Sequence, residues 1–485
     1  MKKQLKKIAV LLLLLGTNFI IAQVGIGTTT PNASAILDMT SISQGVLTPR
    51  LTSIQRNGIV APADGLLVYD TDIKSFYHYN FATSTWIKIN SDVSGRLKYK
   101  LIKSTDVLAT VLATELAAGG GTSYKLDSTT LYEINGVINL NFPIDLNNAY
   151  IIGLDSSDDR IERATGDLFV GATGGSIRVL TLIASTGKVF SIDGPATQSL
   201  ILRDCIIRSS ANVGSIKGFN FVFLSIVLFT ANTNGIIYEN INKLLLSNAG
   251  WFSSNTGTYE KLVGNFGLVT KQGGFSEVIN AAVGFDVSSN PTITGDAIME
   301  SVVFTGTLTT GKYVNSYFPA TFPGFNFNTK WNVRSAGIPT EADAVAIGDI
   351  NFDYTLTTGV ITTLSGTPIK LLGTTTSNEL FRFSRGGVDN RLVYLGSKKR
   401  FFSVGAAISF QTTADNTTFV FYIAKNNAII SKSKVYVRSN STTDVLAIPI
   451  RTVVEMTTND FIEIYVGRET GTGDVKITTV NLTAN

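Results

Sequence analysis

Few residues in this chain could do chemistry, and their scarcity restricts what it can do. Among 485 residues there is one histidine, His78, and one cysteine, Cys205. A Ser-His-Asp or Cys-His nucleophile needs an imidazole base, and His78 sits between Tyr77 and Tyr79 in an alternation that reads as a strand. Zinc sites of Cys and His ligands are excluded by count, and an internal disulfide by the lone thiol. Flanked by Ile206 and Ile207, Cys205 reads as apolar filler, because a reactive thiol needs a cationic neighbour at a partly exposed site. No catalytic residue, metal ligand or cofactor is assigned.

The densest carboxylate cluster is Asp155-Ser156-Ser157-Asp158-Asp159-Arg160. As a calcium loop it offers oxygens at alternate positions, but Arg160 stands where the turn glycine belongs and Gly166 where the bidentate glutamate belongs. As an acid/base pair it needs a second carboxylate about 5 to 10 Å away, and no second cluster occurs one repeat later, near residue 180. The cluster reads first as a solvated turn; Asp155, Asp158, Asp159 and Arg160 are kept as candidate binding residues. The run Gly306-Thr307-Leu308-Thr309-Thr310-Gly311-Lys312 has the spacing of a phosphate-binding loop, but Tyr313 replaces the magnesium-binding hydroxyl and no helix signal follows.

The elements around these residues begin with an export signal. Lys2, Lys3, Lys6 and Lys7 precede the apolar run Ile8 to Leu15, and the small residue Ala22 marks the expected cleavage point. The run is broken too early to span a bilayer, which takes about 18 apolar residues. Without those four lysines, the 40 basic residues fall to 36 against 36 acidic ones. The mature chain is then formally neutral, which removes the electrostatic case for nucleic acid or an anionic membrane as partner.

With 44 glycines, 11 prolines and 16% charged residues, the chain reads as β-rich and turn-rich. Three short strands are expected at Gly65 to Thr71, Phe76 to Asn80 and Thr85 to Ile89. A helix capped by Ser104-Thr105-Asp106 should run through Val107, Leu108, Val111, Leu112 and Leu116 to the stop at Gly119-Gly120-Gly121. Its place before a repetitive region suits a cap on an open solenoid end. Apolar bursts then recur, and equating Leu180, Leu202 and Leu224, with Leu245 next, gives a period of about 22 residues. That length suits one rung of short strands and turns. After Trp251 the regularity fades, and from Ala406 to Val480 seven two-residue-period strands indicate an antiparallel sandwich.

Two resemblances attach to these segments. Gly25-Ile26-Gly27-Thr28-Thr29-Thr30-Pro31-Asn32-Ala33-Ser34-Ala35-Ile36-Leu37-Asp38, with Pro49-Arg50-Leu51-Thr52, Gln55-Arg56 and the Trp86 strand, resembles the N-terminal module of Bacteroidetes secreted proteins and phage tail-fibre proteins. Phe421-Tyr422-Ile423-Ala424-Lys425-Asn426 and Thr458-Asn459-Asp460-Phe461-Ile462-Glu463-Ile464 resemble strands of jelly rolls of the tumour-necrosis-factor and C1q type. The second resemblance implies a trimer. The crowding of Phe419, Phe421, Ile462, Ile464 and Tyr465 suggests the same, as more apolar surface than one sandwich could bury.

The expected fold is all-β: a right-handed parallel β-helix with a short N-terminal β module, one capping helix and a C-terminal jelly-roll sandwich. Its expected divisions are a signal peptide at 1–22, the β module at 23–90, linker and capping helix at 91–129, β-helix at 130–350 and jelly roll at 351–485. The expected function is non-catalytic adhesion or receptor recognition by a secreted, cell-surface or virion-associated homotrimer, with a surface polysaccharide or glycoconjugate as partner. The alternative is a polysaccharide lyase or hydrolase acting in the β-helix groove.

Overall fold

The computed structural model of the chain describes residues 3–4, 23–89 and 98–485. Apart from Lys3 and Gln4, the expected signal segment lies outside the described residues, as does the start of the expected linker. The chain divides into two units, residues 1–95 and 96–485. No helix among the described residues is long and apolar enough to cross a membrane.

In the first unit, Val24–Ile26 pairs in parallel with Leu37–Met39. Leu67–Asp70, Ser75–Asn80 and Thr85–Lys88 form an antiparallel meander at the expected places, with Arg50–Leu51 added alongside Leu67–Asp70. Thr52 and Gln55 close a capping box on the helix Ser53–Asn57. That helix carries the buried Arg56 onto Asp70 at 3.1 Å and over the Tyr77 ring. Its apolar residues are poorly covered: Ile36, Ile42, Leu47, Ile54 and Val60 are between 83% and 105% exposed.

The second unit opens with a parallel β-helix of two long sheets. Among the described residues, a wide sheet of 13 strands starts at Tyr99–Lys103 and ends at Trp331–Ala336, and a narrow sheet of nine runs from Tyr124–Lys125 to Lys312–Asn315. Parallel pairing thus starts upstream of residue 130, where Tyr99–Lys103 lies beside Leu131–Asn135. It ends before 350, since Ile347–Asp353 pairs antiparallel with Val475–Ala484.

The 22-residue step holds for Leu202 beside Leu224 and Leu224 beside Leu246, all three buried. Two expected equivalences are corrected. Ile177, not Leu180, stands beside Leu202, because the chain turns at Val179 (φ 53°) and carries Leu180 around the corner. Leu245 stands beside Phe223 and faces outward, and a slip of one residue moves a side chain to the other face of a strand. The fading after Trp251 has a simple cause, lengthening turns: Lys243 to Leu268, Val269 to Ala297 and Ala297 to Trp331 are steps of 25, 28 and 34 residues.

Turns between the sheets carry their own polar order. Asn232 and Asn255, each 1% exposed, stack on successive rungs, the Asn232 amide donating to Asn255 Oδ1 at 3.0 Å and to the Ile207 carbonyl at 3.0 Å. Buried backbone groups must find partners, and here side-chain amides supply them. Inside, Phe229 stacks on Trp251 at 3.9 Å, and Trp251 on Tyr259 at 5.1 Å. One charged pair breaks the apolar core: Glu260 from the narrow sheet and Lys271 from the wide sheet meet at 2.6 Å, both 1% exposed.

The expected capping helix is two short ones, Leu108–Val111 and Ala113–Ala118, packed against the first rungs. No side chain caps the start, because Asp106 Oδ2 accepts the Lys103 N–H instead. Lys100, an inward position of the first strand, donates to the buried Glu115 at 2.5 Å, and Tyr132 donates to the same oxygen at 2.9 Å. A polar cluster therefore ends the core where the helices cover it.

Residues from 347 onward form two antiparallel sheets. Arg400–Thr412 lies between Leu446–Met456 and Val475–Ala484 in one, and Thr417–Lys425 pairs with Phe461–Thr470 in the other. Phe419, Phe421, Ile462 and Ile464 are all fully buried within one copy. The expected surplus of apolar surface is thus not found, because the two sheets cover each other over these residues. Arg382 ties the sandwich to the last rung, donating to Asp343 Oδ1 at 2.5 Å and to the Trp331 carbonyl at 2.5 Å.

Candidate functional site

Asp155, Asp158, Asp159 and Arg160 fall together in one turn, largely occupied with each other. Asp159, 5% exposed, accepts the N–H groups of Leu154 (2.7 Å), Asp155 (2.9 Å) and Gly136 (2.8 Å). Asp155 accepts the Ser157 N–H and Arg160 donates to the Ser157 carbonyl, while Asp158 stands exposed. No group of three or more Asp, Glu, His or Cys side chains placed to hold a metal occurs among the described residues. Cys205 is buried in an inward position, and burial pushes its thiol up to about 12. Gly306 to Lys312 is a turn leading into the strand Lys312–Asn315, and Tyr313 donates back to the Gly306 carbonyl at 2.7 Å.

The largest cleft lies on the outer face of the first rungs of the wide sheet, about 470 Å³, lined by Lys98, Ser128 to Leu131, Tyr150 to Ile152 and Arg178. Register sets it up: Tyr150 stands beside Leu131 on one side and Ser176 on the other. The Tyr150 ring is 50% exposed. Arg178 folds back to donate to Ser176 Oγ at 3.0 Å, and Lys98 donates to Thr129 Oγ1 at 2.8 Å. Asp127 behind the cleft anchors this wall, with the Thr129 N–H and then the Thr129 and Thr130 hydroxyls holding its carboxyl below the usual range. The lining thus combines an aromatic platform, three hydroxyls and two cations, with no carboxylate. A pyranose can stack on such a ring, and a sugar carboxylate can pair with such cations.

A second arrangement lies on the outer face of the narrow sheet. Lys217 Nζ is 3.7 Å from Asp193 Oδ2 and 3.3 Å from Glu239 Oε1, so the two carboxylate oxygens are no more than 7.0 Å apart. Glu239 and Asp193 together hold the Lys217 ammonium charged above its ordinary range. The three occupy one register position on successive rungs. Sequence reading missed both arrangements; Asp193, Lys217 and Glu239 did carry a signal, recurring at rung spacing, whereas Tyr150 carried none.

Residues 25–105 match the family described as phage tail like trimerisation region. No curated protein matches the chain. Among solved structures, similarity is found to the enzymatically active domain of tailspike protein 4 of bacteriophage CBA120, with 9% identity over 90% of this chain and 77% of that one, TM-score 0.22. Tailspike gp49 of Acinetobacter baumannii bacteriophage Fri1, a capsular polysaccharide depolymerase, shares 9% identity over 90% of this chain and 98% of its own, TM-score 0.23. Eiger TNF from S. frugiperda matches 29% of this chain and 93% of its own, at 9% identity and TM-score 0.21. Scores this low decide nothing about function.

Proposed function

We propose that the chain is an exported fibre- or spike-type protein that assembles as a homotrimer and binds a surface polysaccharide without cutting it. One observation carries the reading: a segment matching phage-tail-like trimerisation regions is joined, in one chain, to a parallel β-helix with an aromatic, cationic cleft. The exposed Ile36, Ile42, Leu47, Ile54 and Val60 support assembly, because so many bare apolar side chains in so small a unit call for a partner. Lys98 and Arg178 beside Tyr150 favour an acidic glycan. In this reading the β-helix is a stalk, the terminal sandwich a jelly roll, and the site of action a cell or virion surface. Threefold display would let weak single contacts add up to firm attachment.

The competing reading is hydrolysis on the narrow sheet, favoured by the carboxylates of Asp193 and Glu239, whose separation falls within the range glycosidases use. Lys217 between them neutralises the pair, which weighs against it. A glycan array combined with a turnover assay on the secreted protein separates the two. Retention of an acidic polysaccharide with no new reducing or unsaturated ends is expected. Release of fragments, lost in Glu239→Gln, would replace binding with catalysis.

A further inference from the structure

The outer face of the wide sheet carries a stripe that nothing in a single copy covers. Ile201, Phe223 and Leu245 stand side by side on three successive rungs, and Ile298 continues the row beyond Thr270. All four point away from the core that their neighbours Leu202, Leu224 and Leu246 fill. At the adjoining corner Ile226 is 47% exposed, and on the far side Val303 is 45% exposed.

Ile226 makes the case sharper. It adopts a left-handed backbone, φ 54°, at a corner where neighbouring rungs place Asp204, Asn248 and Gly273. Those residue types tolerate the conformation, whereas a β-branched side chain is strained there. Within one chain the isoleucine gains little for that strain, being half in water. Strain persists where something else rewards the side chain.

We propose that this stripe packs against further copies of the same chain, making the wide sheet the contact face of the solenoid in a trimer; the proposal rests on the trimeric reading above. Two observations choose a copy over a sugar as the occupant. The row Ile201, Phe223, Leu245 offers no hydrogen-bonding side chain, and saccharide recognition needs several. The matched trimerisation segment, residues 25–105, runs into the first strand of this same sheet, Tyr99–Lys103. Ser176, buried beneath Arg178, separates the stripe from the Tyr150 cleft, so the cleft lies at its margin.

Sedimentation of the full secreted chain tests this, comparing wild type, the double variant Phe223→Glu with Leu245→Glu, and the control Ile237→Glu on the narrow sheet. Expected are three-chain species for wild type and control, and for the double variant association weakened by about a hundredfold or more, as buried unpaired charge weakens an interface. A single-chain wild type would overturn the trimeric reading and this proposal with it. A three-chain double variant would overturn the proposal alone.

Should the double variant fail to fold, thiol labelling of two mild variants decides. Ser225→Cys and Ser215→Cys place thiols on the outer faces of the wide and narrow sheets, both half-buried in a single copy, while Cys205 is buried and silent. Slow labelling at 225 against fast labelling at 215 supports the contact face. Equal rates would overturn it.

Discussion

The wide and narrow sheets share one core and differ on their outer faces. Both point Leu, Ile, Val and Phe inward on nearly every rung. Outward, the narrow sheet shows Ser191, Ser215, Lys261 and the row Asp193, Lys217, Glu239, whereas the wide sheet shows Ile201, Phe223 and Leu245. Inward positions answer to folding, since no rung can bury its face alone. Outward positions are free of that demand, so a bias among them reports on what lies outside the chain. The charged row needs only water, while the apolar row needs a neighbour.

The sharpest way to break this contrast is at adjacent residues of one strand. Leu202→Asp places an unpaired charge in the core, at a cost of about 3–5 kcal/mol, and should abolish secretion or collapse the thermal transition. Ser191→Asp, on the outer face of the narrow sheet, should leave melting unchanged. If the two behave alike, the inward and outward assignments are wrong.

Next is the one ion pair that crosses between the sheets. Lys271→Met leaves Glu260 buried without a partner and should destabilise by about 3 kcal/mol, read by denaturant unfolding. Tyr238, whose phenol burial and then Glu260 push well above its ordinary range, stays neutral throughout. Replacing Glu260 and Lys271 together with Gln and Met should recover much of the loss.

A smaller effect is expected at the turn joining the sheets. Asn232→Ala removes the amide that serves the Ile207 carbonyl and Asn255, at about 1–3 kcal/mol. Neighbouring amide protons should exchange faster, while those of the sandwich stay protected.

The smallest belongs to the sandwich and depends on pH. Burial alone would raise Asp460, but Lys425, the Thr457 N–H and Asn426 outweigh it and hold the carboxyl well below 3.8. A depressed carboxyl contributes stability that is complete above its unfolded value and lost as pH falls through the folded one. Melting should therefore decline below about pH 4, and Asp460→Asn should flatten that decline without affecting the pH dependence of the solenoid.

Much of the fold was legible because a stacked core imposes a period. Leu202 and Leu224 recur at 22 residues with no charge between the bursts, and that spacing admits few architectures. Leu180 and Leu245 were misplaced because periodicity locates a rung but not its corner. The left-handed residue that sets the corner is Val179 in one rung and Asn248 in another, which leaves no common letter to read. The helix cap was overestimated, since Asp106 served the Lys103 amide, a choice between two nearby donors that sequence does not weigh. The candidate cleft was invisible for a deeper reason. Lys98, Tyr150 and Arg178 lie on three different strands or turns and meet only through register. The Asp155 to Arg160 cluster stood out because its members are neighbours in sequence, and sequence neighbours more often serve one another than a ligand.

The central claim is that the first rungs hold a polysaccharide on the Tyr150 face. Its most direct test is an affinity measurement of the secreted chain for the acidic polysaccharide it retains, alongside Tyr150→Ala and Arg178→Ala. Removing the ring should weaken binding by about tenfold or more, as the loss of one stacking platform does, and removing the guanidinium should weaken it and reduce its salt dependence, with melting unchanged in both. Affinity equal to wild type in both variants would contradict the account.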